Sequence, residues 1–309
     1  MRILVVGGTG FIGQHLISRL ARSLHAIDVP TRMIWRGREL LVYPTVTVLQ
    51  RNVHDEVALD RLVQGKDVVI NLAGILHSRP GRPYGPDFAA VHVDLPRKLA
   101  QACVRQGVRR LIHVSALGAG TQASSQYLRS KAAGEEALWS VSRQSDCLDV
   151  TIFRPSVVFG PGDNFMNLFA RLARYLPVLP LAASGSRMQP VYVGDVCTAL
   201  ELALERRDTC GQVYELAGPS VHTLGELATM AAKWSGHPRK VLNLPEALGR
   251  LQAWFLEKLP GEPLMSRDNL DSLKTDNVLT GESGLVQLGL TPTALDQIVP
   301  SYLKKRPER

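Results

Sequence analysis

Short apolar runs alternate along this chain with amphipathic stretches. Ile3 to Val6 is apolar, rich in β-branched residues and too short for a helix, whereas Phe11, Ile12, Leu16 and Leu20 recur at helical spacing. Gly7 to Gly13 between them is therefore read as a strand-to-helix turn. The same pattern predicts further strands at Thr31–Trp35, Val46–Gln50, Asp67–Leu72, Arg110–Ser115 and Asp149–Phe153. It predicts helices at Asp55–Gln64, stopped by Gly65, at Asp87–Gln106, ended by Gly107, and at Tyr127–Ser142. Such alternation implies an α/β fold, a doubly wound parallel sheet of the Rossmann type, with its ligand crevice at the C-terminal ends of the strands. The residues placed there are Gly7, Arg36, Asn52, Ala73, Ser115 and Arg154.

The second half reads as a smaller lobe over that crevice. Helical patterns cover Asn164–Tyr175, Gly194–Arg206 and Leu224–Ser235, strand patterns Gln212–Leu216 and Lys240–Leu244, and Leu176–Leu181 is expected to be a proline-punctuated loop at the pocket mouth. The expected division is a dinucleotide-binding domain over 1–155, to which about 190–206 returns, and a substrate or partner lobe over 156–309. Pro245–Leu259 carries a stripe of Leu248, Leu251, Phe255 and Leu259 widened by Trp254, with Arg250 and Lys258 on other faces. Packing of this stripe on the lobe is the ordinary reading; contact with an anionic membrane surface or a protein partner is the other.

Composition narrows the picture. At 309 residues and 45% hydrophobic content the chain can bury one large core with an attached smaller region. No stretch reaches the ~18 uninterrupted apolar residues of a membrane span, and the glycine turn interrupts the apolar N-terminus before a signal peptide could form. Cys103, Cys147, Cys197 and Cys210 form no C-x-x-C pair and read as reduced thiols of a cytoplasmic protein, with a peripheral place at a membrane left open. The net charge of +8 is spread over scattered arginines and a Lys304, Lys305, Arg306, Arg309 tail, a pattern that suits an anionic membrane surface, phosphate-bearing ligands or, as the ordinary reading, plain solvation of the tail, rather than nucleic acid. His15, His92 and His113 lack ligand spacing, so no metal is expected.

Chemistry enters at two motifs. Gly7, Gly10 and Gly13 are spaced G-x-x-G-x-x-G, and with Thr9, Phe11 and Ile12 they form a turn in which a pyrophosphate can approach backbone amides at a helix N-terminus. After the expected second strand come Arg36 and Arg38, with no acid before Glu39; an arginine there accommodates a 2′-phosphate, so NADP(H) is expected over NAD(H). Asp28 would take the opposing role only if the second strand were Leu24–Ile27, which leaves the first helix little room. Asn52 and Val53 follow the third strand, where an adenine would be flanked. Tyr127 and Lys131 form Y-x-x-x-K on one helical face, where the ammonium favours the phenolate and the phenol can exchange a proton with a substrate oxygen. Ser115 is either a relay partner or a strand-end hydrogen bond, and the loop His77–Pro86, with Arg79, Arg82 and Tyr84, is either a lid for an anionic ligand or a rigid proline-rich connection.

With both motifs in hand the chain resembles the short-chain dehydrogenase/reductase superfamily in its extended epimerase/dehydratase-like branch. Further residues carrying the likeness are Asn71-Leu72-Ala73-Gly74, Arg154-Pro155 with the run to Pro161, and Pro190-Val191-Tyr192-Val193-Gly194-Asp195-Val196. Within the branch it is most similar to bacterial relatives of the nucleotide-binding accessory subunit of mitochondrial complex I, on Val114 to Ala119, Leu176 to Leu181, Ser266 to Leu270 and Leu273 to Val278. The resemblance implies NADPH held by the N-terminal domain, with Ala73, Gly74, Lys131 and Pro155 beside it. It does not imply catalysis, because that mitochondrial subunit is a structural, cofactor-binding protein. Active epimerases have a longer loop before the tyrosine, whereas here eleven residues separate Ser115 from Tyr127, beginning with Ala116 and Leu117. Two main functions follow: an oxidoreductase reducing a small carbonyl or a quinone or isoprenoid-type substrate, with Tyr127 as acid, or a non-catalytic nucleotide-binding partner of a respiratory assembly. A nucleotide-sugar epimerase/dehydratase is a third.

Overall fold

The computed structural model describes residues 1–145, 147–258 and 265–304. In chain order the first half runs β1 (Arg2–Val6), α1 (Phe11–Leu20), β2 (Ala26–Thr31), a 3-10 helix (Ile34–Val42), β3 (Val46–Gln50), α2 (Glu56–Val63) and β4 (Val68–Asn71). One helical run follows, made of α3 (Pro86–Phe88), a π-helical turn (Ala89–Asp94) and α4 (Leu95–Gln106), then β5 (Arg110–Val114), α5 (Gln126–Gln144) and β6 (Asp149–Pro155). The second half contains β7 (Val158–Phe159), α6 (Met166–Tyr175), β8 (Val178–Ala182), β9 (Arg187–Met188), β10 (Val191–Tyr192), α7 (Val193–Glu205) and β11 (Val213–Leu216). It closes with β12 (His222–Thr223), α8 (Leu224–Trp234), β13 (Lys240–Leu244), α9 (Glu246–Leu256), α10 (Arg267–Ser272), α11 (Gly284–Gln287) and α12 (Leu295–Leu303).

Seven strands form one sheet in the order β11-β6-β5-β4-β1-β2-β3, and the contiguous pairs from β3 to β6 are parallel. The chain winds outward from β1 to β3, then returns to β4 on the other side of β1. The reversal places a crevice at the C-terminal ends of β1 and β4, as doubly wound sheets require. One face of the sheet, through Leu4, Val6, Val69, Leu111, Val150 and Ile152, packs on Leu59, Leu62, Leu99, Cys103 and Leu138 of α2, α4 and α5. Local signals set the element ends: Asp55 accepts from the Val57 and Ala58 amides to start α2, Ser125 caps α5, and Gly107 adopts φ +70° to stop α4.

Two compact units result: Met1–Arg154 with Val196–Tyr214, and Pro155–Asp195 with Glu215–Arg309. The core of the second unit gathers Phe159, Met166 and Phe169 with Leu227 and Ala231 of α8 and Val299 of α12. Among the described residues no helix is long and apolar enough to cross a membrane.

Three expectations are corrected. The second strand is Ala26–Thr31, not Thr31–Trp35. Ile27 and Val29 are its fully buried residues, and Pro30 is tolerated because pairing with β1 ends at Asp28, leaving only β3 alongside. The segment Leu176–Leu181 is largely strand, since Val178–Ala182 pairs in parallel with Lys240–Leu244, and Pro180 fits because that sheet has only two strands. The helix expected over Pro245–Leu259 spans Glu246–Leu256, and Leu259 lies outside the described residues. Its inward face is made of the small residues Gly249 and Ala253, set against Ala182 and Leu270, while Leu248, Leu251, Trp254 and Phe255 are exposed. The apolar stripe is thus not the packed face.

Candidate dinucleotide site

The turn between β1 and α1 is shaped by what its glycines lack. Gly7 sits at φ +80°, and a Cβ there would stand 2.7 Å from the Ala73 amide nitrogen; a Cβ on Gly13 would stand 2.5 Å from the Gly8 Cα. The first contact lets the loop after β4 lie against the turn, and the second lets α1 close on it. Gly10 begins α1 without a side-chain cap, and no acid occupies the first helical turn, so the leading amides face outward for an anionic acceptor. Thr9 anchors the Gln14 amide side chain through its carbonyl at 3.3 Å, and Phe11 and Ile12 open the helix. This cradle fits a dinucleotide pyrophosphate.

The loop after β4 is pinned at both ends. Asn71 accepts from the Ala73 amide at 3.1 Å while its side-chain nitrogen lies 3.1 Å from His113 Nδ1. The Ile75 amide donates to His92 Nε2 at 3.1 Å. With Nε2 accepting, His92 carries its proton on Nδ1 and donates to Ser130 Oγ at 2.8 Å, and Ser130 donates to the Tyr127 carbonyl at 2.7 Å. Burial, with Lys131 and His113 nearby, pulls the His92 pKa down to about 2, and burial with Lys131 lowers His113 well below its ordinary value, so both rings are neutral. The π-helical turn aims His92 at Tyr127, with ring centroids 5.5 Å apart, and Gly134 lets α5 pass, because a Cβ there would meet the His92 carbonyl at 1.9 Å. His92, which shows no ligand spacing in the sequence, is buried and ties the β4 loop to α5.

On α5, Tyr127 and Lys131 share one face. The Lys131 ammonium is buried, donates to the Val114 carbonyl at 3.2 Å, and lies where a Cβ on Gly74 would stand 3.3 Å from it. Gly7, Ala73, Gly74 and Lys131 are therefore neighbours although up to 124 positions apart. Burial lowers the Lys131 pKa to about 8, with Glu135 opposing, and raises Tyr127 to about 12. Desolvation outweighs the expected pull of the ammonium on the phenol, which stays protonated at neutral pH. Ser115, at the end of β5, donates to Glu135, and Arg154 donates to the two oxygens of that carboxylate at 2.9 and 2.6 Å. Glu135 is a functional candidate that the sequence motifs do not single out; the signal it offers is its place one turn beyond Lys131 and two beyond Tyr127.

The end of the second strand carries different residues than expected. Because β2 ends at Thr31, Arg32 is the first residue beyond it; the Arg32 carbonyl accepts from Gln50, and burial, aided by the Arg32 charge, lowers the His54 pKa beside Asn52. Arg36 and Arg38 lie further on, along the 3-10 helix, with the Arg36 guanidinium 5.5 Å from the Trp35 ring centroid. Asp28 is mid-strand and ion-paired to Lys66, away from the crevice end. Asn52 turns the chain by accepting from the His54 amide at 3.1 Å, and Val53 packs on the core. Pro155 ends β6 and is buried. In the segment after β4, Asp87 of α3 binds Arg79 at 2.9 Å and Arg129 donates to the Pro83 carbonyl at 3.1 Å. Among the described residues no group of three His, Cys, Asp or Glu side chains is placed to hold a metal ion.

Comparisons with known proteins agree with this geometry. A family model described as the NAD dependent epimerase/dehydratase family matches residues 3–217. The chain is 33% identical over 303 residues to NADH dehydrogenase [ubiquinone] 1 alpha subcomplex subunit 9, mitochondrial, of Mus musculus, covering 94% of this chain and 77% of that protein. It is 32% identical over 252 residues to ceramide reductase of Caulobacter vibrioides, covering 79% and 74%. Among solved structures it is similar to the dTDP-glucose 4,6-dehydratase DesIV of Streptomyces venezuelae with NAD and TYD bound, at TM-score 0.76, 21% identity and 98% and 96% coverage. It is also similar to UDP-glucuronic acid 4-epimerase of Bacillus cereus in complex with UDP-glucuronic acid and NAD, at TM-score 0.69, 21% identity and 98% and 99% coverage. At such identities the two structures speak to fold alone.

Proposed function

The chain belongs to the NAD-dependent epimerase/dehydratase family, and on that premise we propose that it is an NADP(H)-dependent oxidoreductase reducing the carbonyl of an apolar substrate. The observation that carries the reading is the meeting of the glycine turn, the β4 loop and the buried Lys131, one helical turn from the half-buried Tyr127, in one place. When bound, the dinucleotide supplies the hydride. The glycine turn holds the pyrophosphate, Lys131 with Gly74 and Ala73 holds the nicotinamide half, and Asn52 and Val53 flank the adenine. Tyr127, protonated at neutral pH, gives its proton to the oxygen of the reduced carbonyl. Ser115 donates its own proton to Glu135, so it has none to offer the substrate carbonyl, and Tyr127 is the donor to that oxygen.

Preference for NADP(H) is supported by Arg32, the first residue past β2, with no acid between it and Glu39. An apolar carbonyl substrate is supported by the similarity to a protein named ceramide reductase. The four cysteines, all free, fit a cytoplasmic protein. The test is denaturing release and mass spectrometry of the copurifying nucleotide, followed by calorimetry. NADPH binding should exceed NADH binding, and Arg32→Asp should reverse the order; equal affinities in the wild type overturn the preference. Tyr127→Phe should leave dinucleotide affinity nearly unchanged and lower turnover by about 10²–10⁴-fold. Undiminished turnover would remove Tyr127 from the role.

A second reading has its own observations. The mouse relative is named as a subunit of NADH dehydrogenase, and α9 exposes Leu248, Leu251, Trp254 and Phe255. In that reading the nucleotide is a resident ligand and α9 meets a partner in a respiratory assembly. Copurification with such an assembly that is lost in Leu251→Ser/Phe255→Ser, alongside unchanged phenotype in Tyr127→Phe, would favour it.

A further inference from the structure

The 3-10 helix Ile34–Val42 is built inside out. With three residues per turn, positions i and i+3 eclipse, so its nine residues form three columns. Of the column Ile34, Gly37, Leu40, the last two are buried, and a Cβ on Gly37 would stand 2.6 Å from Val48 of β3, the edge strand. The other columns, Trp35, Arg38, Leu41 and Arg36, Glu39, Val42, are exposed throughout. Counting Met33 just before it, the large apolar residues stand outward at 47% (Met33), 44% (Ile34), 63% (Trp35), 59% (Leu41) and 71% (Val42) exposure. A surface helix ordinarily turns such residues to the core and polar ones to water. Here a glycine and a leucine suffice for attachment, and the rest of the apolar surface is presented.

Charge identifies the occupant. Arg32, Arg36 and Arg38 border this surface against the single acid Glu39, and none of the three arginines is in an ion pair among the described residues. The exposed stripe of α9 differs, because most of its cations are matched: Arg250 and Lys274 each bind Glu246 and Asp271, and Arg267 binds Glu257, with Lys258 set 5.9 Å from the Trp254 ring centroid. Unpaired arginines beside an outward tryptophan and aliphatic side chains suit a surface that is apolar below and anionic above. We propose that Met33–Val42 docks this protein on an anionic lipid bilayer. Trp35, Leu41 and Val42 enter the boundary between headgroups and acyl chains, and Arg36 and Arg38 meet lipid phosphates. The chain's net charge of +8 adds a longer-range attraction that salt screens.

The test is cosedimentation of the full chain with vesicles of phosphatidylcholine, with and without phosphatidylglycerol, at low and moderate salt. Wild type should bind the anionic vesicles, release with salt, and bind the zwitterionic ones weakly. Trp35→Ser/Leu41→Ser/Val42→Ser should bind about tenfold less or weaker while keeping its thermal midpoint, since the three side chains are exposed. Should that variant not fold, Trp35→Ser alone is measured against the same expectation, with a several-fold loss. Absence of wild-type binding, or variant binding equal to wild type, overturns the proposal. A concentration-dependent dimer that the triple variant abolishes overturns it too, and assigns the face to a second copy of the chain.

Discussion

Lys131 shows how one buried residue couples stability to function. Its ammonium is held in the core by a single carbonyl, that of Val114, with Glu135 one turn away, and burial brings its pKa from the ordinary lysine value near 10.5 to about 8. A lysine with a lowered folded pKa binds fewer protons folded than unfolded between those two values, so stability rises with pH in that window. Below it the charged form is buried at full cost. Lys131→Met should therefore match or exceed the wild type in thermal stability at pH 7, and the wild type should gain on the variant as pH rises from 8 to 10.5. Dinucleotide affinity should fall throughout. Calorimetric unfolding across that range, with a parallel binding titration, checks both; a variant gap independent of pH would show that Lys131 titrates normally.

Helix contacts in this protein are decided by small residues. Gly134 in mid-α5 would ordinarily gain about 1 kcal/mol on replacement by alanine from helix propensity. The Cβ it lacks would stand 1.9 Å from the His92 carbonyl, a backbone atom that cannot step aside. Gly134→Ala is expected to destabilise by about 2 kcal/mol or more, and to loosen the π-helical turn that aims His92 at Tyr127. Chemical denaturation measures the first effect, and dinucleotide affinity the second. The α9 helix gives the opposite case. It packs through Gly249 and Ala253, so Leu251→Ser/Phe255→Ser should leave the thermal midpoint nearly unchanged, whereas Gly249→Val, whose Cβ position lies 2.4 Å from that of Ala182, should lower it clearly. A large loss of stability in the double serine variant would place the stripe in the core.

On the scale of the whole molecule, a ligand held by the β1–α1 turn, the β4 loop and α5 engages segments that are remote in the chain, and its binding free energy adds to the stability of the native state. NADPH at 100 times its dissociation constant should stabilise by about 2.7 kcal/mol, readable as a raised unfolding midpoint, with NADH doing less at equal concentration. The alternation of strands and helices, the glycine turn and the one-face placement of Tyr127 and Lys131 were legible in the sequence because each depends on local periodicity, on backbone freedom at a turn or on the helical repeat. Neighbours across the fold decided the rest. Ala26–Thr31 is a strand despite Pro30 because β1 has already stopped pairing there, and that end point makes Arg32, not Arg36, the first residue past β2. Glu135 became a buried partner of Ser115 and Arg154, and His92 a tie between two elements, through contacts 17 to 38 positions apart. The outward faces of the 3-10 helix and α9 were likewise set by what lies opposite them, Val48 in one case and Ala182 in the other, each taking a glycine inward. Periodicity names the stripes on a helix; only the surface it meets fixes which stripe is buried.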